Sequence, residues 1–113
     1  MIDGIGVDVV DISRFQESLE RTDGLREKLF TESERTLSIP SLAARFAAKE
    51  ALYKALSPAH GLAWHEAEVI SQPNGKPEFL FRGEVADLID GARVHLSLSH
   101  DAGIASAMVV LER

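Results

Sequence analysis

Apolar and polar positions alternate with different periods along the chain, and the periods divide it into short elements. Ile2, Ile5, Val7, Val9, Val10 and Ile12 load the first dozen residues with β-formers, which predicts a strand over residues 2–12. Its even positions (Ile2, Gly4, Gly6, Asp8, Val10, Ile12) share one face. Both faces carry apolar residues, as expected of a central strand. Ser13 is suited to cap a helix from Arg14 to Arg21, and Thr22-Asp23-Gly24 breaks it. A short helix or turn follows over 25–30. Thr31-Glu32-Ser33-Glu34 has the S/T-x-x-E form of a capping box, which predicts a brief helix from Glu32. Ile39-Pro40 interrupts, and Ser41 opens an alanine-rich helix that runs to Leu56. Ser57-Pro58-Ala59-His60-Gly61 reads as the loop that ends it.

The second half is richer in strands. Residues 64–72 and 78–82 read as two strands joined by Pro73-Asn74-Gly75-Lys76-Pro77, and Asn-Gly is a strong hairpin signal. A helix over 83–90 ends at Gly91. Residues 94–99 alternate as a half-buried strand does, His100-Asp101-Ala102-Gly103 turns the chain, and Ile104 to Leu111 is the last strand. The order is β, a helical block, ββ, α, ββ. It predicts an α+β fold: a single domain over 1–113, with a mostly antiparallel sheet and helices packed to one side.

Composition narrows the class. A chain of 113 residues is one domain, and 45% hydrophobic against 27% charged residues excludes a disordered segment. A chain this size buries only about two-thirds of its unfolded surface, so association would help its core. The absence of cysteine excludes disulfide scaffolds, zinc–thiolate sites and thiol nucleophiles. No apolar run approaches the roughly 18 residues of a membrane span, and the first residues lack the pattern of a signal peptide, so a cytoplasmic location is expected. A net charge of −6 argues against broad nucleic-acid binding.

Two carboxylates draw attention. Asp8 shares a strand face with Ile2, Val10 and Ile12, where a carboxylate needs a cation, a helix N-terminus or a metal. On the long helix Phe46, Glu50 and Lys54 lie on one side, beside a small-residue face of Ala44, Ala47, Ala48, Ala51 and Ala55. Asp8 and Glu50 together have the chemistry of a Mg²⁺ site, which takes oxygen ligands and keeps places for water and substrate phosphate. Lys54, Arg45 and Lys49 on the same helix suit a phosphorylated substrate. By spacing alone, a solvated Glu50–Lys54 pair explains the helix equally well. Ser97, Ser99, His100 and Asp101 do not make a triad, because neighbouring strand residues point to opposite faces. Arg14, Arg21, Arg26 and Lys28 form a local basic patch on an acidic chain, suited to an acidic partner or simply solvated.

In order, the motifs are Gly4-Ile5-Gly6-Val7-Asp8, Phe30-Thr31-Glu32-Ser33-Glu34, Arg45-Phe46-Ala47-Ala48-Lys49-Glu50-Ala51, Asn74-Gly75-Lys76-Pro77 and Leu98-Ser99-His100. The chain resembles, over its whole length, the small holo-acyl-carrier-protein synthases of the 4′-phosphopantetheinyl transferase superfamily. The resemblance implies transfer of 4′-phosphopantetheine from coenzyme A to a serine of apo acyl carrier protein, in support of fatty acid biosynthesis. It implies Mg²⁺ held by Asp8 and Glu50, and Lys54 on the phosphates. It places Arg45, Lys49 and His100 near the nucleotide, and Arg14 with neighbouring basic residues such as Arg21 on the carrier protein. It also implies a homotrimer with its sites between neighbouring subunits. Two stretches depart from the family pattern. Ser57–Gly61 replaces a Gly-Thr-Gly-like loop that lies against phosphate, leaving Gly61 to supply a backbone amide. The segment from Glu34 to Arg45 is shorter by roughly two helical turns. From the residues alone, a non-catalytic coenzyme A-sensing module and a plain structural oligomer stay open as rivals.

Overall fold

The computed structural model describes residues 1–56 and 63–113, and in it one long helix lies across two antiparallel sheets. The elements are β1 (Ile2–Asp11), α1 (Ile12–Arg21), α2 (Leu25–Leu29), α3 (Ile39–Leu56), β2 (Ala67–Ser71), β3 (Pro77–Phe81), α4 (Gly83–Ile89), β4 (Arg93–Asp101) and β5 (Ile104–Glu112). A single 3₁₀ turn, Trp64–Glu66, leads into β2. The larger sheet has the order β1-β5-β4, and β2-β3 form a hairpin. The α+β reading with an antiparallel sheet therefore holds. The predicted loop Ser57–Gly61 lies outside the described residues.

Several local expectations are corrected. β1 is an edge strand, not a central one: it pairs only with β5. Its even face packs on α3, and its odd face is apolar but exposed, with Ile5 56% and Val9 61% accessible. The two apolar faces thus reflect a helix on one side and an uncovered surface on the other. Asp11, not Ser13, caps α1. The strand runs straight into the helix, so Asp11 is the last extended residue, and its Oδ1 accepts the Arg14 N–H at 3.0 Å. α3 begins at Ile39 rather than Ser41, because proline is tolerated in a first helical turn, where amides lack helical partners. No helix starts at Glu32. The Glu34 side chain does accept the Thr31 N–H at 2.9 Å, as a capping box would, but the segment closes as turns and Glu34 is buried.

The packing of β1 on α3 depends on side chains that are nearly absent. Ala44, Ala47, Ala48, Ala51 and Ala55 are all buried along α3. Opposite them stand Gly4 and Gly6. A Cβ on Gly4 would lie 2.1 Å from the Ala55 carbonyl oxygen, and one on Gly6 would lie 1.8 Å from that of Ala51. Strand and helix backbones are therefore in contact. Asp8, two residues beyond Gly6 on the same face, is held against the last two turns of α3.

This contact predicts that Gly6→Ala destabilises the chain by about 3 kcal/mol or more, the upper end for overpacking, because the obstructing atom is backbone and cannot rotate away. Urea unfolding monitored by circular dichroism measures it. A variant as stable as the parent would show that β1 can ride higher on the helix.

Candidate active site

Asp8 projects from β1 toward α3, where Lys54 donates to it. The Lys54 Nζ lies 3.0 Å from Asp8 Oδ1 and 2.9 Å from the Val7 carbonyl oxygen. Lys54 itself is exposed, so its ammonium reaches both solvent and the strand edge. Glu50, one turn earlier, lies close enough to feel Asp8. Burial pushes the Glu50 carboxyl up, the charge of Asp8 pushes it further, and Lys54 only partly offsets both. Two carboxylates beside a lysine, one of them pushed up by burial and by the other's charge, form an oxygen-only donor set.

Both acids open into a groove of about 660 Å³ between β1, α1, α2 and α3. Asp8, Asp11, Arg14, Lys28 and Glu50 supply its polar lining, and Phe15, Leu25, Leu29, Phe46 and Trp64 its apolar wall. The aromatic rings are ordered: Phe15 stacks on Phe46 at 5.3 Å between centroids, and Phe46 on Trp64 at 5.5 Å. The site is therefore half charged and half apolar. It suits a ligand with a phosphate end and an uncharged arm, or a protein surface bearing both.

The family model of the 4′-phosphopantetheinyl transferase superfamily matches residues 4–105. The chain belongs to this superfamily. It is 58% identical to the holo-[acyl-carrier-protein] synthase of Leifsonia xyli, covering 100% of this chain and 98% of that one. It is 54% identical to the enzyme of the same name from Beutenbergia cavernae, with both chains fully covered. Among solved structures, the holo-[acyl-carrier-protein] synthase of Neisseria meningitidis superposes with a TM-score of 0.90 at 30% identity, with both chains fully covered. That of Helicobacter pylori, solved in complex with coenzyme A, gives 0.85 at 32% identity over 96% of this chain and 99% of that one.

The transferase fold brings some of the expected residues together and separates others. Asp8, Glu50 and Lys54 meet, and Arg14 lines the same groove. Arg21 is exposed at the far end of α1, outside the groove lining. Arg45 turns toward the hairpin, with Nη2 3.2 Å from Ser71 Oγ and Nε 3.4 Å from the Val69 carbonyl oxygen, and burial lowers its pKa. His100 is exposed on β4, whose register Val10–Ala105–His100 sets it two strand spacings, about 10 Å, from β1. Gly61 lies outside the described residues.

Lys49 requires a correction. Expected beside the nucleotide, it is wholly buried, and its ammonium is spent on three partners: Glu34 Oε1 at 2.7 Å, the Trp64 carbonyl oxygen at 2.9 Å and that of Leu29 at 3.0 Å. No donor is left for a phosphate. Helical spacing placed Lys49 and Arg45 on one side, but that side faces the core and the hairpin, not solvent. Its partner Glu34 was legible only as a capping residue. A second acid escaped the sequence reading as well. Glu68, buried on β2, receives Thr31 Oγ1 at 2.7 Å, Arg82 Nη2 at 2.7 Å and the Ser33 hydroxyl. Burial pushes its carboxyl up, but these hydrogen bonds and the Arg82 charge outweigh it and hold the pKa at about 2. Phe15, Phe46 and Trp64 were also unread as a site. Phe46, four residues before Glu50 on the same helical side, was the available signal.

Proposed function

We propose that this transferase is a Mg²⁺-dependent holo-acyl-carrier-protein synthase that works in the cytoplasm and supplies fatty acid biosynthesis. It moves 4′-phosphopantetheine from coenzyme A to a serine of the apo carrier. The observation that carries this reading is the meeting of Asp8 and Glu50, from segments 42 residues apart, beside Lys54 at the rim of a groove that is basic on one side and aromatic on the other.

The donor set fits a hard divalent cation. Asp8 and Glu50 offer carboxylate oxygens only, and no cluster of three metal-ligating side chains exists among the described residues. Two protein ligands leave the remaining places for water and substrate phosphate, which is how Mg²⁺ is commonly held. Bound there, the ion balances negative charge on the coenzyme A pyrophosphate.

The chain's own residues supply the rest. The serine oxygen forms a bond to the phosphorus that carries pantetheine, and the bond from that phosphorus to the bridging oxygen breaks. Adenosine 3′,5′-bisphosphate leaves with the electron pair. Lys54, exposed at the groove rim, places a positive charge where charge grows on the departing phosphate. The serine proton needs an acceptor, and the carboxylates facing the groove are Asp8, Asp11 and Glu50. Arg14 and Lys28 give the groove's outer lip a positive sign that suits an acidic carrier protein, and Arg21 extends that sign along α1.

The exposed apolar face of the larger sheet supports a homotrimer. Ile5, Val7, Val9 and Met108 are each between 45% and 61% accessible on one side of β1 and β5. A neighbour seated on that face covers them, and a site shared between subunits gives His100 and Arg45 a neighbour's nucleotide to meet. No helix among the described residues is long and apolar enough to cross a membrane.

Intact-mass spectrometry of an apo acyl carrier protein incubated with this chain, coenzyme A and Mg²⁺ tests the activity. The carrier is expected to gain one phosphopantetheine. EDTA is expected to suppress the gain, and Asp8→Ala and Glu50→Ala to abolish it in folded protein. Full activity of either variant removes the metal assignment. Arg14→Glu is expected to raise the KM for the carrier on the order of tenfold while leaving that for coenzyme A near the parent value; an unchanged carrier KM removes the basic-lip assignment. Sedimentation equilibrium is expected to return a three-chain mass, and a monomer mass at micromolar concentration overturns the shared site.

A further inference from the structure

Lys49 and Glu34 form the only ion pair among the described residues in which both side chains are buried, at 0% and 1% exposure. Each is fully satisfied. The ammonium gives its three protons to Glu34, to the Leu29 carbonyl and to the Trp64 carbonyl. The carboxylate in turn accepts the Thr31 N–H at 2.9 Å and the Val69 N–H at 2.8 Å. One pair thus ties the end of α2, the turn after it, the 3₁₀ turn and β2 to the middle of α3.

Stability alone does not account for such a pair. Two charges taken out of water contribute little net stability, and apolar residues of similar volume usually serve as well. Directional bonds to chosen carbonyls contribute something apolar packing lacks, which is a defined position for the main chain that carries them. Those carbonyls belong to Leu29 and Trp64, two residues of the groove's apolar wall. The Trp64 ring stacks on Phe46, and Phe46 on Phe15, so the position of residue 64 is transmitted across the wall. Lys49 also immediately precedes Glu50, so the bonds that hold the wall start next to the helix residue that faces it.

We propose that Lys49, through the Leu29 and Trp64 carbonyls, is a positioning residue that sets the aromatic wall of the groove at a defined separation from Asp8 and Glu50. The inference rests on the activity proposed above for what the wall receives. It does not rest on that activity for the wall's geometry. It differs from a nucleotide contact in what its loss changes. A lost phosphate contact raises the KM for coenzyme A, whereas a displaced wall misaligns bound reactants and lowers kcat.

Trp64 is the only tryptophan in the chain, so intrinsic fluorescence reports the wall directly. Lys49→Met alone would leave the Glu34 carboxylate buried without a cation and is expected to unfold. The informative variant is therefore the double substitution Glu34→Gln with Lys49→Met, which removes both charges at nearly constant volume. Once circular dichroism shows it folded, its Trp64 emission is expected to shift to the red and to be quenched more readily by acrylamide. Its kcat for carrier modification is expected to fall on the order of tenfold or more, with the KM for coenzyme A little changed. Parent-like emission and kcat would reduce the pair to a structural role, and a raised coenzyme A KM with parent-like emission would return Lys49 to the nucleotide. Should the double variant fail to fold, hydrogen exchange on the parent decides. The Thr31 and Val69 amides, 38 residues apart but both bound to Glu34, are expected to open in one step. Independent opening overturns the proposal. A parent chain that modifies no carrier removes the proposed activity instead, and the emission shift then decides the wall's positioning by itself.

Discussion

Everything at the groove depends on how closely β1 approaches α3. An ordinary strand and helix are held apart by side chains, and here the glycines at 4 and 6 and the alanine face opposite bring backbone to backbone. That approach places Asp8 beside Lys54 and within reach of the charge on Glu50. A carboxylate on a strand face packed on a helix would otherwise be a defect, since a buried charge without a partner costs several kcal/mol. The same contact that buries the carboxylate also provides the lysine that offsets it and brings a second acid beside it.

The other side of α3 solves a different problem. The helix is buried almost all round, so it must pack against irregular segments as well as against a sheet. Turns present main-chain carbonyls and amides, and a purely apolar helix face would leave those groups unpaired. Lys49 and Glu34 meet four of them as well as each other, and no buried polar side-chain atom is left unsatisfied among the described residues. Glu68, with Thr31, Ser33 and Arg82, does the same one layer outward. The groove wall includes irregular chain tied down by polar bonds, whereas the rim that carries Asp8 and Glu50 is regular structure made close by small residues.

The larger sheet is covered on one face and open on the other. Apolar residues on β1 and β5 stay in water in the single chain, while the helix face of the same strands is closed. The family to which the chain belongs, and solved relatives that superpose along its whole length, place this arrangement among transferases that act on coenzyme A and carrier proteins. Association through that face would bury the exposed residues and bring β4, the strand that bears His100, up to a neighbour.

Most of the secondary structure was legible because it rests on local preferences. The alanine-rich helix, the Asn-Gly hairpin, the alternating last strands and the α+β order all follow from residue types and their period. Asp8 was legible as a candidate because a carboxylate on an apolar strand face needs a partner. Glu50 and Lys54 were legible because they share one helix side beside the alanine face, but only the family resemblance set them apart from a solvated pair. Three matters were not. The edge position of β1 depends on what covers its odd face, the cap of α1 on where the strand stops, and the fate of Lys49 on which side of α3 meets the turns. Periodicity assigns a residue to a face of its own element, and only tertiary packing decides what that face meets. Lys49 shows the consequence. On the helix wheel it is a cation free for phosphate, but in the fold three acceptors from remote segments converge on it and exclude both water and ligand. The sequence by itself determined the elements and the chemical types available to the groove. The tertiary structure alone decided which charges face the groove and which hold it in shape, because burial and hydrogen-bond partners come from segments distant in sequence.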